Sequence, residues 1–183
     1  VALGDTALDD GSLSGQRNTA IGFAALSENE GGGYNVALGA YSLDANTSGN
    51  YNSGLGDATL TENTTGSANT AAGHGALAAN TTADSNSAFG YSSMGVNTTG
   101  TKNASSGAFS LDANISGSFN SAIGYAALGA NTTASYNTAV GADSLDANTT
   151  GAYNLAAGYS ALGANTTASY NTGLGPYALN NTT

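Results

Sequence analysis

Basic residues are almost missing from this chain: Arg17 and Lys102 stand against twelve acidic side chains, and the net charge is −10. Nucleic-acid binding needs clustered Lys and Arg to neutralise phosphates, so this balance argues against it. It argues equally against docking on anionic lipid. Cysteine is absent, which removes disulfide frames and thiolate metal sites and fits an extracellular structural protein of bacterial or viral type. No apolar run approaches the ~20 residues of a membrane-spanning helix, and no membrane insertion is expected. Charged residues are only 8% of the sequence, against ~25% in ordinary domains. What fills the space is glycine, at 27 of 183 positions, with alanine, asparagine, serine and threonine.

Low charge and high polarity suit disorder, but the order of the residues contradicts it. An asparagine recurs in equal steps of seventeen, at Asn18, Asn35, Asn52, Asn69, Asn86, Asn103, Asn120, Asn137, Asn154 and Asn171. A glycine keeps the same beat four places later, from Gly22 to Gly175. A period this strict is the mark of a stacked repeat architecture. With the asparagine as position zero, position two is tiny (Ala20, Ala37, Gly54), position three mostly aliphatic (Ile21, Leu38, Leu55), and position eight Leu or Met (Leu26, Met94, Leu179). A second asparagine follows, usually before Thr-Thr-Gly or Thr-Thr-Ala, and an aromatic often closes the cycle. The first cycle, Gly4 to Gly22, is one residue longer, an insertion expected in the Asp10–Gly15 turn; the last, at Leu179-Asn180-Asn181-Thr182, is one short.

Seventeen residues with two turn points leave no room for a capped amphipathic helix, and Asn, Thr and Gly are poor helix interiors. Short strands between tight turns fit better. The expectation is an all-β parallel β-solenoid, or β-roll, of about eleven coils, occupying residues 1–183 as a single repeat array. Like residues then stack at ~4.8 Å, and the position-zero asparagines form a ladder that satisfies their buried amides. The chain opens inside a repeat without methionine, as a piece of a longer protein would. A weaker alternation of two flavours, Ala40–Asn46 against Tyr125–Asn131, is read as duplication of a two-repeat block, with a turn two repeats long as the alternative. One leucine and one aliphatic per cycle make a thin core, which suggests an intertwined or side-by-side homotrimer with a shared interior.

The sequences Asn137-Thr138-Ala139-Val140-Gly141 and Asn120-Ser121-Ala122-Ile123-Gly124 resemble the repeats of trimeric autotransporter adhesin heads, over about five residues per cycle. The full cycle, continuing through Ala-Asp-Ser-Leu and Asn-Thr-Thr-Gly, is similar to repeat tracts of phage tail fibres and large bacterial surface proteins. The resemblance implies a left-handed parallel roll, three chains to a fibre.

No catalytic set is evident. His74 is the single histidine and has no nucleophile in register, so it reads as a surface residue; Asp44, Asp112 and Asp146 recur but lack the glycine-aspartate pattern of calcium rolls and read as solvated corner carboxylates. No cofactor is implied. Asn46, Asn63, Asn80, Asn97, Asn114, Asn131, Asn148 and Asn165 fit the N-glycosylation sequon, as do Asn103 and Asn181; turn or ladder asparagines are the competing reading. Tyr34, Tyr51, Tyr136, Tyr153 and Tyr170 are candidates for stacking on sugar rings, with packing between coils as the alternative. The reading is a non-enzymatic structural segment, shaft or head, of an extracellular fibre on a cell surface or virion, partnered by itself and by a surface polysaccharide or receptor. Alternatives are a secreted, glycosylated filament built by end-to-end stacking of uncapped coils, and an ice-binding solenoid using threonine rows.

Overall fold

The computed structural model describes residues 1–8 and 15–180. Most strands place a tiny residue between a hydroxyl or β-branched side chain and an apolar one, and a glycine follows. The first strand is Ala2–Leu3 and the last Thr172–Leu174; Thr138–Val140 is typical of the nine between. Eleven strands form one parallel sheet in strict chain order. Partners such as Thr138↔Leu155 and Val140↔Ala157 lie one sequence period apart. At one coil per strand spacing, the array is ~50 Å long. Only the first pair, Ala2↔Ala20, is wider by one position. The inserted residue therefore falls in the first coil, although most of the Asp10–Gly15 turn lies outside the described residues, as do Asn181 and Thr182 of the last. No helix occurs among the described residues, so none could cross a membrane.

Each hydrogen-bonded turn takes one sequence period and not two: Asn103 and Asn120, one period apart, are bonded between adjacent coils. Amides outside the strands also reach neighbouring coils, alternately backward and forward: Phe109 N–H donates to Tyr91 C=O at 3.0 Å, and Leu111 N–H to Ala127 C=O at 3.0 Å. Alternating handedness of the backbone produces this. Phe109, Leu111 and Phe119 have φ of 58°, 51° and 60°, and equivalent positions repeat along the chain. A leucine there costs ~1–2 kcal/mol. The compensation is that the turn hydrogen-bonds both neighbours and aims its leucine inward. The corner glycine is required on two counts at Gly107: φ is +146°, and a Cβ would collide with the Gly124 carbonyl oxygen.

The core is a single file. Leu26, Leu43, Leu60, Leu77, Met94, Leu111, Leu128, Leu145 and Leu162 are fully buried, walled by alanines at position two. Leu179, on the last coil, is 46% exposed. One chain closes this core alone, so the shared interior that suggested three chains is not needed to bury the leucines. The position-three aliphatics do not join it: Ile21, Leu38 and Val140 point outward and are exposed. The two sequence flavours have a packing basis. From Asp112 onward, position nine runs Asp112, Gly129, Asp146, Gly163, Asn180. A Cβ on Gly129 would meet Asp146 Oδ1 at 2.7 Å, and one on Gly163 would meet Asn180 Oδ1 at 2.7 Å. A polar side chain in one coil thus occupies the space its neighbour's glycine leaves.

Truncating a mid-array leucine, Leu111→Ala, is expected to lower unfolding free energy by about 2–5 kcal/mol, since its neighbours above and below cannot collapse into the gap; urea midpoints of the two proteins measure it.

Candidate functional site

Two asparagine rows run the length of the interior, and they work differently. In the position-zero row the side-chain oxygen accepts the backbone N–H of the next coil's asparagine: Asn120 N–H to Asn103 Oδ1 is 2.9 Å. Its Nδ2 donates to a turn carbonyl, as from Asn120 to Ala134 at 2.8 Å. This row therefore ties side chain to backbone, where amide-to-amide stacking was expected. The amide-to-amide ladder exists, but the sequon asparagines build it. Asn114 Nδ2 donates to Asn97 Oδ1 at 2.8 Å and to Gly117 C=O at 3.0 Å, and Asn131 Nδ2 returns to Asn114 Oδ1 at 2.8 Å.

Asn46, Asn63, Asn80, Asn97, Asn114, Asn131, Asn148 and Asn165 are fully buried, and Asn103 nearly so. A glycan on any of these nitrogens would displace a donor from a closed ladder and force a sugar into the interior, so the burial favours the ladder reading of this row over the sequon reading. Asn181 lies outside the described residues. Asn165 Oδ1, on the last described rung, is one of two buried side-chain polar atoms without a partner among the described residues; Asp44 Oδ1 is the other.

The position-sixteen aromatics stack on one another. Tyr34 and Tyr51 lie 4.9 Å apart, and Phe119, Tyr136, Tyr153 and Tyr170 follow at 4.9, 4.8 and 5.1 Å with planes within 5°. Both basic residues of the chain begin these stacks: Arg17 sits 5.1 Å from the Tyr34 ring centre, and Lys102 5.0 Å from that of Phe119. A cation on a ring face gains ~0.5–1 kcal/mol at exposed sites. Within the stacks the faces are taken by neighbouring rings, so the surface presents edges and hydroxyls. A sugar would find an open face only at a stack end, as at Tyr51, where the next coil carries Ala68 in place of a ring.

His74 is exposed, 3.3 Å from Asp57 and stacked on Tyr91. No cluster of three or more metal-ligating side chains occurs among the described residues. Asp44 and Asp112 are half-buried, not freely solvated, and Asp146 is exposed. Burial raises the pKa of Asp44 and of Asp112 above the ordinary 3.8, partly opposed by backbone hydrogen bonds in both. For Asp146, whose carboxyl loses part of its hydration to neighbouring coils although the residue as a whole is exposed, that desolvation and then the charges of Asp143 and Asp112 act in the same direction. Thr64, Thr81, Thr98, Thr132 and Thr149 each donate their hydroxyl to a carbonyl of the next coil, as Thr64 does to Thr81 C=O at 3.1 Å, so these hydroxyls are spent inside the array.

The remaining candidate is the outer face of the sheet. Its two rows are the first and third strand residues, with position two turned inward. None of the strand residues is charged. The third-position row is mostly apolar and exposed, with Phe89 prominent and a dent of about 190 Å³ beside it at Ser106. The exposed aliphatics were legible as aliphatics, but their outward direction needed the strand phase relative to the buried alanine. Comparisons with protein-family models, with curated proteins and with solved structures find no match.

Replacing Asn114 by Ala is expected to cost about 3–5 kcal/mol, because Asn97 Oδ1, Asn131 Nδ2 and Gly117 C=O each lose a buried partner. Tyr136→Ala should cost no more than about 1–2 kcal/mol; the urea midpoints of both variants give the contrast. Because Asp44, Asp112 and Asp146 have folded pKa values above 3.8, the folded state binds more protons than the unfolded chain between 3.8 and the raised values. Their contribution is a penalty, fully present above the folded pKa and relieved as pH falls through it. Asp112→Asn should therefore raise the urea midpoint at neutral pH and reduce the gain in stability on mild acidification.

Proposed function

We propose that this array is a structural rod within an extracellular fibre, a shaft or head segment of a surface adhesin or tail fibre, holding other parts apart and offering repeated weak contacts along its sides. One observation carries the reading: the backbone's hydrogen bonds run from coil to coil throughout its described length. That construction makes a straight stiff element from few large residues, and it devotes its polar side chains to internal ladders instead of convergent chemistry. Among the described residues the acidic side chains all lie outside the strands, which suits a solvated exterior.

A second reading has one specific observation behind it. The first strand position is a hydroxyl at Thr19, Ser53, Thr70, Ser87, Ser121, Thr138 and Thr172, so the sheet presents an uncharged row of hydroxyls beside an apolar row at regular spacing. Such a face could order water, and thermal hysteresis in solution is its test.

An antibody raised against the isolated chain is expected to label fibres on intact cells or virions of the source without permeabilisation. Labelling only after permeabilisation would end the extracellular proposal. Small-angle scattering of the purified chain should give a rod about 50 Å long.

A further inference from the structure

We propose that two copies of this chain pair face to face through the sheet, antiparallel, about a two-fold axis that runs along the strand direction between Phe89 and Ser106. This rests on the face alone and is independent of where the array is displayed.

A two-fold axis in that direction lays each row of one copy over the same row of the other, with coil order reversed. In the third-position row, placing Phe89 opposite Ser106 fixes every other pair. Ala72 then meets Ile123, and Leu38 meets Ala157. Thus each of the three small residues in the row (Ala72, Ser106, Ala157) faces a large one. The other two pairs, Ile21 with Leu174 and Leu55 with Val140, are apolar on both sides. The dent at Ser106 receives the other copy's Phe89, and by symmetry the two phenylalanines stand one strand spacing apart, ~4.8 Å, close enough for their rings to stack.

The first-position row is an independent check. It holds hydroxyls and one alanine except at Val36 and Leu155. The register set by Phe89 and Ser106 places Val36 opposite Leu155. The aromatic ladder at the sheet edge follows the same register: Tyr34 falls opposite Tyr153, Tyr51 opposite Tyr136, and Ala68 opposite Phe119.

Charge points to a second copy as the occupant. In a chain of net charge −10 no strand residue is charged, so here two copies can meet without opposing carboxylates. Ten paired strands, each ~4.8 Å wide, by roughly 15 Å from the ladder to the apolar row, give a footprint of about 720 Å² per copy. That is close to the ~800 Å² per partner of stable complexes.

The test is mass by light scattering on the full 183-residue chain, with folding followed by far-ultraviolet circular dichroism. The native chain should run at twice 17.7 kDa. Phe89→Lys should weaken pairing at least about a hundredfold while the fold stays intact, because the side chain points outward. Ser106→Phe alone should also weaken it, and the exchange of both, Phe89→Ser with Ser106→Phe, should restore it, since each phenylalanine again faces a serine. As the chain lacks cysteine, Leu55→Cys combined with Val140→Cys should give a disulfide-linked pair on mild oxidation, and Leu55→Cys alone should not. A native monomer (with thermal hysteresis or without), a native trimer, an exchange variant that stays monomeric, or efficient linkage through Leu55→Cys alone would each overturn the proposal.

Discussion

Every coil depends on its neighbours for hydrogen bonds, and the rest of the structure follows from that. A single coil with one leucine and several alanines buries too little to hold its own shape. Stacking at strand spacing changes the balance, because strand amides, turn amides and asparagine side chains all find partners one coil away. Left-handed backbone at Leu111 and its equivalents is tolerated for the same reason. The local conformation is unfavourable for leucine, yet it lets a turn bond in both directions while filling the core. Position four is glycine because neighbouring backbones approach closely at that corner.

Much of this was legible in the sequence. The period pointed to the architecture, since nothing but in-register stacking explains asparagine and glycine held at one unvarying spacing through ten copies. The leucine row was recognisable as core. Less legible was which asparagine row does what. Asn114 sits in a sequon and turn context, and sequence alone left glycan, turn and ladder open; the burial of its amide decides for the ladder. Tyr136 was readable as exposed and aromatic, but whether its faces were free depended on the ring one coil away. The left-handed leucines carried no signal, because positive φ is normally announced by glycine or asparagine. The direction of Ile21 and Val140 was also hidden, since a three-residue strand is too short to show its own alternation.

Small residues have two roles here. At position two, Ala122 and Ala139 wall the leucine file. At position nine, Gly129 and Gly163 leave space for polar side chains of the next coil, so the alternation in this part of the array also serves packing. Gly54 belongs with them: a Cβ there would lie 2.7 Å from Thr59 Oγ1, within a buried contact that Thr59 shares with Ser42. Uniform period and variable filling coexist because each substitution is accommodated by the coil directly above or below.

The direction of the hydrogen bonds also sets how the array would carry load. Bonds between coils lie along the long axis, so bending the rod strains many of them at once and meets high stiffness. Tension applied along the chain loads the coils in series, so they yield one at a time. Each coil that peels away releases one period of chain, roughly 60 Å when extended, in exchange for ~5 Å of folded height. The same ladder that makes the array rigid in flexure makes it a stepwise extensible tether in tension.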